Sequence, residues 1–315
     1  MSRIHEALKK AEQERMANQG GASSGLAAVP ATEVWTPEDG VGSAGNGASG
    51  GSVAMLEAAP LRLPTAEGSG LEALCAVCEW HPDPATMLFL NGDNSASGTE
   101  EYRTLRSRLY SLREKMPLKK VLVTSALPRE GKSFTAANLA QVMVRQHGRK
   151  ALLIDADLRA PRLHEMLGTR QEPGLSDYLQ GKCDEYAVMQ RGSLENLYFI
   201  PCGTSTADPA EMVGNGRIKI LLQRVEAMFD WIIVDSPPAI PVSDASVLAK
   251  ACDGVLMVVR SDVTPADVAR KAREEFPQEA LLGVVLNGTH TPLAPYSRYY
   301  YEVYQNGKGG AKAKS

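Results

Sequence analysis

Apolar residues from position 120 onwards are grouped into short runs, and segments with helical spacing lie between most of them. The runs are continuously apolar rather than alternating, which is typical of strands that are covered on both faces of a sheet. Strands that alternate with helices favour a parallel sheet with right-handed crossovers. We therefore predict a doubly wound, mostly parallel α/β fold. Its predicted strands are 120–124, 151–155, 197–201, 231–235, 254–259 and 281–287.

Helical periodicity is clearest over 99–113, where Tyr102 and Leu109 share one face and Thr99 is a plausible N-cap. Just before this helix, the apolar run 87–92 is predicted to be an edge strand. Further helices are predicted to begin at Gly131 and to cover 217–228, 244–251 and 265–275.

The first 84 residues lack the pattern of a folded domain. Residues 2–18 would form a short amphipathic helix that is marginal alone in water, so it is either frayed or docked on a partner, and we favour docking. The next segment is rich in Gly, Ala, Ser and Pro, and it cannot bury enough apolar area to offset the entropy of ordering. The predicted organisation is a helix over 1–18, a flexible tether over 19–84 with order returning near Leu74, an α/β domain over 85–290 and a tail over 291–315.

Composition and charge narrow the function classes. The formal net charge is −3, which gives no electrostatic case for binding nucleic acid. No run of 18 apolar residues and no signal peptide is found, so we expect a cytoplasmic protein whose five cysteines are reduced. Cys75 and Cys78 form a C-x-x-C pair near His81, but a fourth zinc ligand is missing, and packing is favoured over metal or redox chemistry.

The stretch SALPREGKSF (125–134) follows a predicted strand and opens a predicted helix, which is the context of a P-loop. Lys132 would reach the β- and γ-phosphates, and the Ser133 hydroxyl would bind Mg²⁺. Ala126 replaces the usual first glycine, which a small residue with negative φ permits. The alternative is a glycine-containing turn that binds nothing. The residues assigned to the nucleotide are Ala126, Arg129, Glu130, Gly131, Lys132, Ser133 and Phe134.

Aspartates follow two of the predicted strands: Asp155 and Asp157 in ALLIDADLR, and Asp235 in WIIVDSPP. In a parallel sheet they would share the edge of the P-loop, where ligands bind. We expect Asp235 to hold Mg²⁺, usually through water, and Asp155 and Asp157 to orient the acceptor and complete the metal shell. The alternative is that strand-end aspartates cap the following helices.

Five of the ten tyrosines fall within 295–305, between prolines and a Gly/Lys-rich end. An aromatic edge segment would be the ordinary interpretation of such a cluster. Beside a phosphoryl-transfer site, the hydroxyls become candidate acceptors, and each phosphate would add about −1.5 to −2 charges. The candidate phosphoacceptors are Tyr296, Tyr299, Tyr300, Tyr301 and Tyr304.

These motifs resemble the bacterial tyrosine kinases (BY-kinases, CpsD/CapB type): SALPREGKS as Walker A, LLIDADLR as Walker A′, IIVDSPP as Walker B, and the tyrosine cluster. The resemblance implies ATP and Mg²⁺, with Lys132 and the three aspartates as catalytic residues. The helix EEYRTLR resembles the family's E-x-x-R-x-x-R motif, here Glu100, Arg103 and Arg106. That motif implies a ring of subunits phosphorylating each other's tails, whereas alone it would suggest a solvated face.

The resemblance also implies partners. They are a membrane polysaccharide co-polymerase (a Wzz-like chain-length determinant), which would hold the chain at the inner face of the cell membrane, and a cognate tyrosine phosphatase. The opening SRIHEALKKAE is similar to exosortase-associated tyrosine autokinases that serve exopolysaccharide export. Similarity to MinD/ParA-like ATPases implies that Asn287 contacts adenine. The alternatives to an autokinase are a MinD/ParA-like ATPase switch without kinase activity and a scaffold with a decayed site.

Overall fold

The computed structural model describes residues 70–90, 98–146, 148–204 and 208–289. In this part of the chain, eight strands form one sheet in the order β1-β4-β5-β3-β6-β2-β7-β8. The strands are β1 Ala76–Val77, β2 Lys120–Ser125, β3 Ala151–Asp155, β4 Gln190–Arg191, β5 Leu197–Ile200, β6 Trp231–Asp235, β7 Gly254–Arg260 and β8 Leu281–Asn287. The neighbours are parallel except for the short β4, which pairs with β5 in the antiparallel direction.

Helices cover both faces of this sheet, as continuously apolar strands require. On one face, α3 (Lys132–Val144) is buried along most of its length between the sheet and α2 (Thr99–Arg113). On the other face, α7 to α9 contribute Leu221, Leu248 and Ala272 to a second apolar cluster. The helices are α1 Gly70–Leu74, α2 Thr99–Arg113, α3 Lys132–Val144, α4 Leu163–Leu167, α5 Leu175–Leu179, α6 Pro209–Gly214, α7 Arg217–Val225, α8 Asp244–Ala249 and α9 Ala266–Glu274, with 3₁₀ turns at Glu226–Met228 and Gln278–Ala280.

The predicted mostly parallel α/β fold is confirmed, and the six predicted strands and the helices predicted from residue 99 onwards lie where expected to within a few residues. The edge strand at 87–92 is wrong for its described part, because residue 87 has no regular structure and residues 88–90 form a turn. Met87 and Phe89 are buried against the cluster that contains α3, so their apolar character reflects docking rather than a strand. Thr99 is the first residue of α2 rather than its N-cap, which is Gly98 at φ 100°.

Residues 70–84 pack on the fold, so order does return near Leu74 as expected, although the predicted organisation continued the tether to residue 84. Strand β1 pairs with β4, and Trp80 is buried with its ring edge-to-face on Phe199 at 6.4 Å. Gly192 makes room for that indole, because a Cβ there would lie 2.2 Å from the ring. The Cys75 side chain is buried, and burial raises the pKa of its thiol to about 11. The predicted terminal helix, the tether up to residue 69 and the tyrosine tail lie outside the described residues.

Candidate active site

The loop between β2 and α3 is tightly wound. Arg129 and Gly131 both have positive φ, at 67° and 94°. A Cβ on Gly131 would lie 2.0 Å from the Asn287 side-chain nitrogen, so only glycine fits there without displacing Asn287. Ala126 is fully buried and has no positive φ, which explains why alanine serves in place of the usual glycine. The loop ends where α3 begins, and a helix N-terminus favours a bound anion.

Contacts from the segment after β7 and from the last residue of β8 hold this loop in place. The Glu130 side chain is buried, and it accepts hydrogen bonds from the Leu127 amide at 2.7 Å and from the Thr264 hydroxyl. Asn287 donates to the Glu130 carbonyl at 2.9 Å. The Glu130 carboxylate therefore shapes the loop from inside, and its backbone amide is left as the group that would bind a nucleotide. Asn287 does lie at the loop, as a nucleotide contact would require, but its donor is used by Glu130.

Lys132 projects into a group of carboxylates at the carboxyl edge of the sheet, where the parallel strands end. Its Nζ lies 2.7 Å from Asp157 Oδ2 and 3.3 Å from the Ser133 Oγ. Burial opposes the charge on the lysine, but Asp235, Asp157 and Asp155 more than offset it and raise the pKa of Lys132. The ammonium is thus charged and already placed beside the residues that the sequence assigned to phosphoryl transfer.

Asp155 and Asp235 are direct neighbours across β3 and β6, and both side chains are fully buried. Asp155 Oδ2 accepts hydrogen bonds from the Arg162 and Leu163 amides at 3.2 and 3.1 Å, so Asp155 caps α4 as the alternative interpretation expected. Burial raises the pKa of Asp155, and the adjacent charge of Asp235 raises it further. Asp155 therefore both caps α4 and lies beside Asp235 in the candidate site.

Asp235 is held differently. Within the described residues, neither of its carboxylate oxygens makes a hydrogen bond of normal geometry. Burial raises the pKa of Asp235, although Lys132 and the Ser133 hydroxyl lower it again in part. A buried carboxylate without hydrogen bonds is costly unless another group compensates it. With the Ser133 hydroxyl beside it, this oxygen-only donor set suits Mg²⁺.

The structure adds an ion pair that the sequence analysis missed. Arg159 Nε and Nη2 lie 2.8 and 3.2 Å from the two oxygens of Asp244, at the first residue of α8. Asp244 is 85 positions further along the chain, and an acidic residue in the first turn of a helix is expected for the helix dipole alone. The sequence carried no signal that would have paired the two residues.

The residues of the predicted ring motif lie apart from this site, on α2. Glu100 and Arg103 form an ion pair within the helix, and Arg106 Nη1 donates to the Val142 carbonyl at 2.9 Å, near the end of α3. Arg106 thus ties α2 to the helix that begins at the P-loop. Whether the motif also builds an interface between subunits remains a prediction. Over the described ranges, no helix has both the length and the apolar character needed to cross a membrane.

Comparison with known proteins supports this picture. A family model described as an AAA domain matches residues 130–266. Tyrosine-protein kinase YwqD of Bacillus subtilis is 37% identical over 205 residues, which is 64% of this chain and 85% of that protein. Tyrosine-protein kinase wzc of Salmonella typhimurium is 30% identical over 222 residues, which is 70% of this chain but only 31% of that longer protein.

A solved structure extends the similarity to three dimensions. The kinase domain of the Escherichia coli tyrosine kinase ETK superposes with a TM-score of 0.60 and 31% identity. The match covers 66% of this chain and 82% of that domain. The fold and the relatives therefore point to the same family of proteins.

Proposed function

The chain belongs to the bacterial tyrosine-protein kinases, and from this premise we propose that it phosphorylates the tyrosine cluster of its own tail with ATP. The observation that carries the proposal is the meeting of Lys132 with three aspartates at one sheet edge, where Asp235 is buried without hydrogen bonds. A lysine for the phosphates, a carboxylate for the metal and a carboxylate for the acceptor are the parts that phosphoryl transfer needs.

The P-loop would bind the nucleotide. Backbone amides at the start of α3 and the Lys132 ammonium bind the β- and γ-phosphates, and Ser133 and Asp235 hold Mg²⁺, with Asp155 completing its surroundings. When bound, Mg²⁺ neutralises charge that develops on the transferred group. Lys132 must then turn from Asp157 towards the phosphates, which frees the Asp157 carboxylate.

Asp157 would orient the acceptor tyrosine. A tyrosine hydroxyl has a pKa of about 10 and is neutral near pH 7, so its proton has to leave during transfer. The hydroxyl oxygen bonds to the γ-phosphorus, the bond between that phosphorus and the β–γ bridging oxygen breaks, and ADP leaves with the electron pair. The proton passes to Asp157 Oδ2, the oxygen that Lys132 contacts in the structure.

The tail has enough length to reach a site. The fourteen residues from Asn287, the last residue of β8, to Tyr301 span up to about 45 Å when extended and about 20 Å as a coil. We propose transfer in trans within a ring that is built through Glu100, Arg103 and Arg106. The acceptors are Tyr296, Tyr299, Tyr300, Tyr301 and Tyr304.

We further propose that the phosphorylation state regulates exopolysaccharide or capsule polymerisation and export. The chain would act at the inner face of the cell membrane, bound to a polysaccharide co-polymerase, and a cognate phosphatase would reset it. The support for this role is the similarity of the opening segment SRIHEALKKAE to exosortase-associated autokinases.

The test is to incubate the purified chain with Mg·ATP and to probe for phosphotyrosine. We expect strong labelling that Lys132→Met abolishes, and that changing the five tail tyrosines to Phe removes while ATP binding persists. ATP hydrolysis without phosphotyrosine would instead support an ATPase switch. Labelling that survives Lys132→Met would contradict the proposed site.

A further inference from the structure

We propose that Arg159 and Asp244 are positioning residues for phosphoryl transfer and that they act through Asp157. This inference rests on the proposed function, because it assigns a role to groups that surround the proposed acceptor-orienting carboxylate. Among the described residues, no hydrogen bond or ion pair joins the side chain of Arg159 or Asp244 to Lys132 or the P-loop, and their link to the site runs through Asp157.

The first step of the argument is the backbone around Asp157. Its Oδ1 accepts hydrogen bonds from the Arg159 amide at 3.3 Å and the Ala160 amide at 3.0 Å. Its Oδ2 is the oxygen that contacts Lys132. The orientation of the carboxylate is therefore set by the peptide groups of the next three residues, and a shift of those amides would turn Oδ2 as well.

The second step is what fixes those amides. The Arg159 guanidinium donates hydrogen bonds to both oxygens of Asp244, and the Asp244 side chain is only 2% exposed. A two-point contact between a planar guanidinium and a carboxylate fixes direction as well as distance. Asp244 belongs to α8, a helix packed in the apolar core, so the loop after β3 is tied to a rigid element.

The third step is a second arginine–aspartate pair, which lies at the amino end of β3 and serves for comparison. Arg149 precedes β3, and its Nη1 lies 2.7 Å from Asp230, which precedes β6. Its side chain is 45% exposed, close to the 38% of Arg159. Both arginines flank β3 in sequence and pair with an aspartate, but only Arg159 adjoins Asp157. Arg149→Lys is thus a control for the general loss of an arginine–aspartate pair.

The experiment measures the initial rate of autophosphorylation against ATP concentration in the full chain. Arg159→Lys keeps the charge but loses the two-point contact, and Asp244→Asn loses the acceptor charge. For both we expect the maximal rate to fall about 10- to 100-fold, with the KM for ATP and the melting temperature little changed. Arg149→Lys should keep the wild-type rate.

The double variant Arg159→Lys/Asp244→Asn separates a joint action from two separate ones. If the two residues act as a unit, the double variant loses no more rate than the more damaged single variant. The proposal is overturned if the rate losses of the two single variants multiply in the double variant. It is also overturned if the KM for ATP rises while the maximal rate is unchanged, or if Arg149→Lys loses as much rate. An unlabelled wild type would overturn the proposed function and this inference with it, whereas a labelled wild type with unaffected variants overturns this inference alone.

Discussion

Strand β6 has an aspartate at each end, and the two are held in opposite ways. Asp230, just before the strand, accepts hydrogen bonds from the Lys150 amide at 2.9 Å and from Arg149 at 2.7 Å. Burial alone would raise its pKa, but these contacts more than offset that effect and lower the pKa of Asp230. Asp235, the last residue of the strand, has no such hydrogen bonds in the described structure, and burial raises its pKa.

The same contrast extends to β7, which is separated from β6 by β2 in the sheet. Asp253, just before β7, accepts hydrogen bonds from the Lys119 and Lys120 amides, both at 2.8 Å, and its other oxygen lies 3.2 Å from the Lys120 Nζ. The amino edge of the sheet thus uses aspartates to tie strand starts together. At the carboxyl edge, the charge of Lys132 offsets the burial of Asp235 only in part, and its oxygens make no hydrogen bond of normal geometry in the described structure. The carboxylates at the amino ends of these strands are therefore structural, whereas the candidate functional carboxylates lie at the carboxyl ends.

The strongest test of this comparison is to remove the aspartate charge at each end of β6 in turn. We expect Asp235→Asn to lower the initial rate of autophosphorylation by 100-fold or more, because it removes the charge that would hold Mg²⁺; this is about the scale at which losing a catalytic charge acts. Asp230→Asn should keep the rate within about threefold. Phosphotyrosine formation at saturating Mg·ATP is the measurement, with circular dichroism to confirm that both variants fold.

Two results would contradict the assignment. If Asp235→Asn kept its rate, Asp235 would be a structural residue despite its missing hydrogen bonds. If Asp230→Asn lost as much as Asp235→Asn while remaining folded, position along the strand would not separate the two roles.

A second experiment concerns Asp157, which shares the carboxyl edge but is paired with Lys132. In Asp157→Asn, the ammonium loses its nearest carboxylate and is free to bind phosphate. We expect phosphotransfer to fall about 100-fold, by the usual scale for losing a base, while an ATP analogue binds severalfold more tightly. Calorimetric titration with a non-hydrolysable analogue measures the second effect. Weaker binding would mean that Asp157 supports the nucleotide rather than competing for Lys132.

The sequence could predict the P-loop because its signal is local. A strand, a turn and a helix follow one another within 25 residues, and Lys132 and Ser133 sit at their junction. The closeness of Asp155 and Asp235 followed from one further assumption, a parallel sheet with strands of known direction. These are the parts of the site for which chain order implies position in space.

The remaining parts depend on contacts that chain order does not imply. The Arg159–Asp244 pair and the Thr264 contact to Glu130 join residues 85 and 134 positions apart. Helices of five residues, such as Leu163–Leu167, are too short to have a readable period, so the capping by Asp155 was only an alternative. Trp80 was assigned to the tether because its partner Phe199 lies on a distant strand.

The smallest effect we predict is on stability, where the order of the two aspartates is reversed: the change at Asp230 should cost more than the change at Asp235. Asp230→Asn removes charge-assisted hydrogen bonds and should lower the free energy of unfolding at pH 7 by about 1–3 kcal/mol. Asp235→Asn removes a buried charge without hydrogen bonds, so without metal or nucleotide it should cost nothing or stabilise slightly. Urea unfolding with a chelator present measures both.

The pH dependence of the free energy of unfolding is the control for this last prediction. The folded pKa of Asp230 lies below its unfolded value of about 3.9, so its contribution is complete above that pH and is lost as the pH falls through the folded pKa. The gap between wild type and Asp230→Asn should therefore be largest near neutrality and should shrink below about pH 4. A gap that does not change with pH would mean that Asp230 stabilises the strand start through shape or packing rather than through its charge.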